Sequence, residues 1–194
     1  APYSLTYLAK KYNKKLILFM PASQKASEHQ LRVIEEGATP IFLKTPAMPT
    51  INAWAKDFAK KIGAKYLPFG LKHEQVVAGG VRIFYEALKD QKIENMWTVF
   101  STGVLSRTLQ IALPETGFNA VAVARNVQPG ELGRARFYSY HKEFLKNADI
   151  DTPFDCIKTY DAKGWEYMTK WGKPGDWFWN VARNMPKPTI KPED

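Results

Sequence analysis

Between Thr98 and Thr108 an apolar strand signal runs into Ser101, Thr102 and Gly103 and then into a helical signal. Such a turn suits an anion. A helix N-terminus offers unpaired N–H groups and the positive end of its dipole, and Ser101, Thr102 and Ser106 add hydroxyl donors. Arg107 either strengthens a phosphate site or points to solvent. The same residues also make an ordinary capped strand-to-helix turn, because one glycine falls short of a full glycine-rich loop. A second loop, Leu67 to Gln75, carries Lys72, His73 and Glu74 before a helix signal. There His73 could act as acid, base or anion contact near neutral pH, or simply sit at the surface. His29 and His141 lie among charged residues of stretches read as helical, and Cys156 is alone, a small buried hydrophobe. Without a histidine or cysteine pair, no catalytic metal is expected. Trp165, Tyr167, Trp171, Trp177, Phe178 and Trp179 form either a stacking platform or the hydrophobic closure of a lobe, and the closure is favoured.

These residues need a scaffold, and the chain provides alternating helix and strand signals. Leu5, Leu8 and Tyr12 at helical spacing precede the apolar run Lys15 to Met20. Ser23 offers an N-cap to a helix with Leu31 and Ile34 that ends at Gly37, and Pro40 to Leu43 is the next short strand. Thr50 caps a helix whose Ile51, Trp54, Ala55, Phe58 and Ile62 form one stripe closed by Gly63. Lys65 to Leu67 is a strand candidate, and Val77, Val81, Phe84 and Leu88 line the following helix. Met96 to Phe100 and Ala120 to Ala124 are strands around a helix from Thr108 to Leu113, and Glu131 to Lys146 reads as a basic aromatic helix. The pattern predicts an α/β fold with a Rossmann-like, three-layer parallel sheet, helices on both faces, and a ligand site at the carboxyl ends of the strands. The expected division is a smaller α/β lobe over 1–70, a larger one over 71–185 and a flexible tail over 186–194, where prolines replace apolar pattern.

With 194 residues and 45% hydrophobic content, the chain can bury a real core. One cysteine excludes a disulfide framework, and no apolar run approaches the roughly 20 residues that span a bilayer, so a cytoplasmic protein without membrane contact is expected. The net charge of +9 attracts anionic partners, nucleic acid among them. The lysines nevertheless fall in scattered pairs such as Lys10-Lys11 and Lys60-Lys61, which reads as a basic but ordinary surface.

Several of these segments together resemble the fold-type II pyridoxal-phosphate enzymes, the tryptophan synthase β-like group, and most of all its aminocyclopropane-carboxylate deaminase and D-cysteine desulfhydrase branch. Leu5 to Pro21 resembles the helix and strand after that family's serine-x-asparagine segment, and Leu31 to Leu43 its glycine-alanine turn into a strand. Pro68, Gly70, Gly80 and Phe84 match a loop and helix, and Met96 to Leu109 stands in the place of the cofactor-phosphate loop. Tyr160 to Gly164 is similar to the segment with the active-site tyrosine. The resemblance implies pyridoxal phosphate as cofactor, held by Ser101, Thr102, Gly103 and Ser106. It also implies Tyr160 as a ring-stacking or proton-handling residue, Gly70 and His73 on the substrate side, and a lyase- or deaminase-like reaction on a small amino acid or related amine. The Schiff-base lysine of the family has no match here and is expected upstream of residue 1, so the resemblance implies an amino-terminally truncated fold. An exposed sheet edge would then be covered by a homo-oligomer or a second chain. Val104, Leu105 and Thr108 where the family has small residues, and Trp177 to Asn184 where it has a small polar segment, suit the alternative. That alternative is a pseudoenzyme that binds a partner protein, a nucleotide or nucleic acid.

Overall fold

Continuous apolar strands between helices striped at three and four residues call for a parallel sheet covered on both sides. The computed structural model of the chain, which describes residues 2–22, 28–45, 47–124 and 131–183, realises that requirement. Its contacts fall into two units that divide after Leu71. The expected Ser23 cap and the 186–194 tail lie outside the described residues.

In the first unit, α1 (Pro2–Lys11), β1 (Ile17–Pro21), α2 (Glu28–Glu35), β2 (Thr39–Leu43) and α3 (Met48–Lys61) precede a short 3-10 turn at Phe69–Leu71. The strands β1 and β2 pair in parallel, with Ile17 opposite Thr39, and Phe19 meets Phe58 of α3 edge-on at 5.4 Å. Helix α3 starts earlier than Thr50 predicts. Pro49, whose ring presets a helical φ, stands in the first turn, so Thr50 lies inside the helix and Ala47 occupies the cap without a side-chain bond. Lys65 to Leu67 forms no strand: Leu67 is exposed and the next residue, Pro68, has no N–H to add to a ladder.

The second unit holds α4 (Glu74–Leu88), β3 (Asn95–Phe100), α5 (Val104–Ala112), β4 (Gly117–Ala122), β5 (Arg136–Ser139), α6 (Asp161–Trp171) and β6 (Trp177–Phe178). Its four strands are all parallel in the order β5-β4-β3-β6. Side chains alternate along β3, as the pleat requires. Met96 packs with Leu109, Ala112, Leu113 and Phe118 on the α5 side, while Trp97 packs with Val121, Tyr140 and Tyr167 on the α6 side. Helices therefore cover both faces, and this is the three-layer α/β arrangement that the sequence predicts. Trp97 is 1% exposed, and its indole N–H donates to Asp176 at 2.8 Å, so a large side chain is buried with its one polar group satisfied.

The expected helix over 131–146 is not formed. Its middle is β5, an edge strand paired with β4, in which Phe137 and Tyr138 suit a pleated surface better than a helix. His141 consequently lies just beyond β5 in a loop and not in a helix. Ahead of β5 the chain is strapped to α5. Gln110 donates to the Leu132 carbonyl at 3.0 Å and accepts from the Arg134 N–H at 2.8 Å. The Arg134 guanidinium donates to the carbonyls of Gln110, Leu113 and Thr116, at and just past the end of α5, where a cation is favoured by the helix dipole. Among the described residues, no helix is long and apolar enough to cross a membrane.

Candidate functional site

The strand order places a switch point beside β3, because β4 lies on one side and β6 on the other, and open parallel sheets bind ligands outside the carboxyl ends at such points. The chain leaves β3 there through Ser101, Thr102 and Gly103. Gly103 caps α5 with φ 76° and ψ −10°, a left-handed conformation that favours glycine. A Cβ at this position would lie 2.8 Å from the Phe100 ring and 3.0 Å from the Glu131 carbonyl oxygen. Conformation and space thus both demand a residue without a side chain. The result is a close backbone turn in which the half-buried residues Ser101 and Thr102 immediately precede the first N–H groups of a nine-residue helix. That is the donor set an anionic oxygen needs.

Tyr160 reaches the same turn from a different element. It stands at the start of α6, and its hydroxyl lies 3.2 Å from Ser101 Oγ. Burial pushes the Tyr160 hydroxyl above its ordinary range against the smaller, opposite effect of the Ser101 bond, so it keeps its proton at neutral pH and can donate it. The neighbouring Asp161 is fully buried and accepts the N–H groups of Val181 at 2.8 Å and Ala182 at 3.2 Å, which fixes the chain leaving β6 against α6. Burial pushes its carboxyl up to about 6 despite those bonds.

Sequence separation hid two further parts of this edge. Lys72, just before α4, pairs with the largely buried Glu131, whose own carbonyl closes on Gly103. Fifty-nine positions separate the two residues, and no spacing rule links them. Lys163 is fully buried on α6, with its ammonium donating to the carbonyls of Glu143 at 2.8 Å and Phe144 at 3.0 Å and lying 5.0 Å from the Tyr140 ring centre. Burial lowers its pKa, with Lys142 adding to the effect, but the two carbonyls and the ring partly compensate the charge.

Ser101, Thr102, Gly103 and Tyr160 are therefore brought together. Ser106 is placed differently: it is 1% exposed, and its hydroxyl accepts from Gln110 Nε2 at 3.1 Å, so its side chain serves the packing of α5. His73 caps α4, with Nδ1 accepting the Gln75 N–H at 3.2 Å. Gly70, at φ 69°, belongs to the first unit's 3-10 turn. Of the six aromatics named for a platform or a closure, Tyr167 is buried, Trp165, Phe178 and Trp179 are half-buried, and Trp171 and Trp177 are exposed. Trp165 packs edge-on against Phe154 and Phe178, and Tyr167 joins the Trp97 cluster. Cys156 is buried, 3.3 Å from the Thr152 hydroxyl.

No protein-family profile matches the sequence, and no curated protein sequence matches it. Solved structures do. An O-ureido-L-serine-bound mutant of O-ureido-L-serine synthase superposes with a TM-score of 0.71 at 12% identity, covering 94% of this chain and 68% of that one. A homologue of ACC deaminase gives 0.70 at 15% identity, covering 91% and 68%. Diaminopropionate ammonia lyase from Escherichia coli, in apo form, gives 0.63 at 13% identity, covering 91% and 59%.

Proposed function

From the fold of the fold-type II pyridoxal-phosphate enzymes, which this chain has, we propose that it binds pyridoxal phosphate at the carboxyl end of β3 and takes part in lyase- or deaminase-like chemistry on a small amino acid. The observation that carries this reading is the Ser101-Thr102-Gly103 turn at the head of α5 with Tyr160 bonded to it. When bound, the cofactor supplies an electron sink for bonds broken at an amino-acid α-carbon. The chain's own residues have simpler tasks. The α5 N–H groups and the hydroxyls of Ser101 and Thr102 hold the phosphate, and Gly103 lets the backbone come close to it. Tyr160 Oη holds a proton that burial keeps in place at neutral pH, available to a leaving group or to a substrate heteroatom. Asp161 anchors the segment after β6 so that Tyr160 stays fixed at the turn.

Absorbance titration of the purified chain with pyridoxal phosphate, followed by borohydride reduction and mass spectrometry, tests the reading. Saturable binding at one site per chain is expected, with reduction showing whether one lysine is modified or none. Failure to saturate would remove the cofactor assignment. It would favour the second reading, a partner-binding relative, for which the specific observations are Val104 and Leu105 at the turn and the exposed Ile83 and Tyr85 on α4.

A further inference from the structure

Two strands away from the Ser101 turn, at the end of β5, three side chains with metal-binding atoms converge from parts of the chain that share no motif. His141 follows β5, Asp149 lies in the next loop and Glu166 projects from α6. One ligand atom from each lies within 4.8 Å of the other two. His141 Nε2 and Asp149 Oδ2 are 3.8 Å apart, too far for a hydrogen bond. Two ligands of one tetrahedral zinc ion, with bonds of about 2.0–2.2 Å, stand roughly 3.3–3.6 Å apart. His141 and Asp149 are 53% and 63% exposed at their side chains, so small rotations close that difference between them, while the widest separation in the trio, at most 4.8 Å, must close further as an ion binds.

Both carboxylates of the trio are also held by neighbours. Asp149 Oδ1 takes Lys142, so Oδ2 is the oxygen turned to the histidine. Glu166 Oε2 accepts the Tyr140 hydroxyl at 2.6 Å and the Asp149 N–H at 3.2 Å. Outer partners of this kind orient the ligands of metal sites.

We propose that His141, Asp149 and Glu166 bind a single borderline divalent transition metal of the zinc, cobalt or nickel class, with the fourth position left to water, and that the ion fastens the loop after β5 to α6. One imidazole with two carboxylates suits these ions, whereas calcium takes about six to eight oxygen ligands and magnesium favours an all-oxygen shell without the imidazole. The site escapes a search for histidine or cysteine pairs because its ligands come from positions that only the fold unites. It does not depend on the cofactor reading.

The test is calorimetric titration of the purified 194-residue chain with zinc, repeated with cobalt while the visible absorption of the bound ion is followed. The expected result is one ion per chain, at least tenfold weaker binding in His141→Ala and in Glu166→Gln, and unchanged binding in His29→Ala, which alters an exposed helical histidine of the first unit. Circular dichroism confirms that the variants are folded. No stoichiometric binding by the unaltered chain, or binding that survives both site variants, would overturn the proposal, as would a loss caused by His29→Ala.

Discussion

Replacing Gly103 by valine is expected to lower the unfolding free energy by about 2–5 kcal/mol and to abolish saturable pyridoxal-phosphate binding. Two effects add. A left-handed φ costs about 1–2 kcal/mol for a residue with a Cβ, and more for a branched one. A new Cβ also enters space 2.8 Å from the Phe100 ring, and forcing extra atoms into such packing costs about 1–3 kcal/mol. Phe100 is fully buried beside Ala120 and Ala122, so the ring cannot retreat without disturbing β4. Alanine at the same position brings the Cβ and the strained φ without branching, and a smaller loss is expected. Urea unfolding of both variants checks the ordering; an alanine variant within experimental error of the parent would show that the turn is not held as described.

The second large effect is a pH dependence from Asp161. Its carboxyl titrates near 6 in the folded chain against 3.8 for an unburied aspartate. Between those values the folded state keeps a proton that the unfolded state has released, so raising the pH favours unfolding. The contribution is fully present below about pH 4 and lost above about pH 6, and a shift of that size corresponds to about 3 kcal/mol. Asp161→Asn removes the titration while keeping one oxygen for the Val181 N–H, though it cannot accept the Ala182 N–H as well. The parent's urea midpoint should therefore fall relative to the variant's as the pH rises from 4 to 8, because only the parent acquires a buried charge. The ion-paired carboxylates Glu36 and Asp151 have lowered values and act in the opposite sense at lower pH, but they cancel in the comparison. Parallel midpoint curves would contradict the assignment.

Much of this molecule is legible in its sequence where local pattern and burial agree. Met96 to Phe100 is apolar at nearly every position because both faces of β3 are covered, and the change from strand to helix at Gly103 is enough to mark the candidate site in the residues alone. The residue pattern fails where tertiary pairing decides. Charges at Glu131, Arg134, Lys142 and Lys146 mimic a helical face, yet Phe137 to Ser139 pairs with β4 and the chain before it is strapped to α5 through Gln110 and Arg134. Tyr160 is a different case. The resemblance singles it out, but nothing local shows that its hydroxyl meets Ser101, 59 positions away. The Lys72–Glu131 pair and the His141, Asp149 and Glu166 group are equally invisible, since ionisable residues on loops carry no periodicity.

The central claim is that a phosphate sits at the head of α5, and the most direct measurement compares the affinities of pyridoxal phosphate and of pyridoxal, which lacks the phosphate. Several charge-assisted bonds from N–H groups and hydroxyls, each contributing about 1.5–3 kcal/mol, predict that removing the phosphate weakens binding by about a hundredfold or more. The alanine double variant of Ser101 and Thr102 should lose much of that discrimination. Equal affinities for the two compounds, or a preference undiminished in the double variant, would contradict the account.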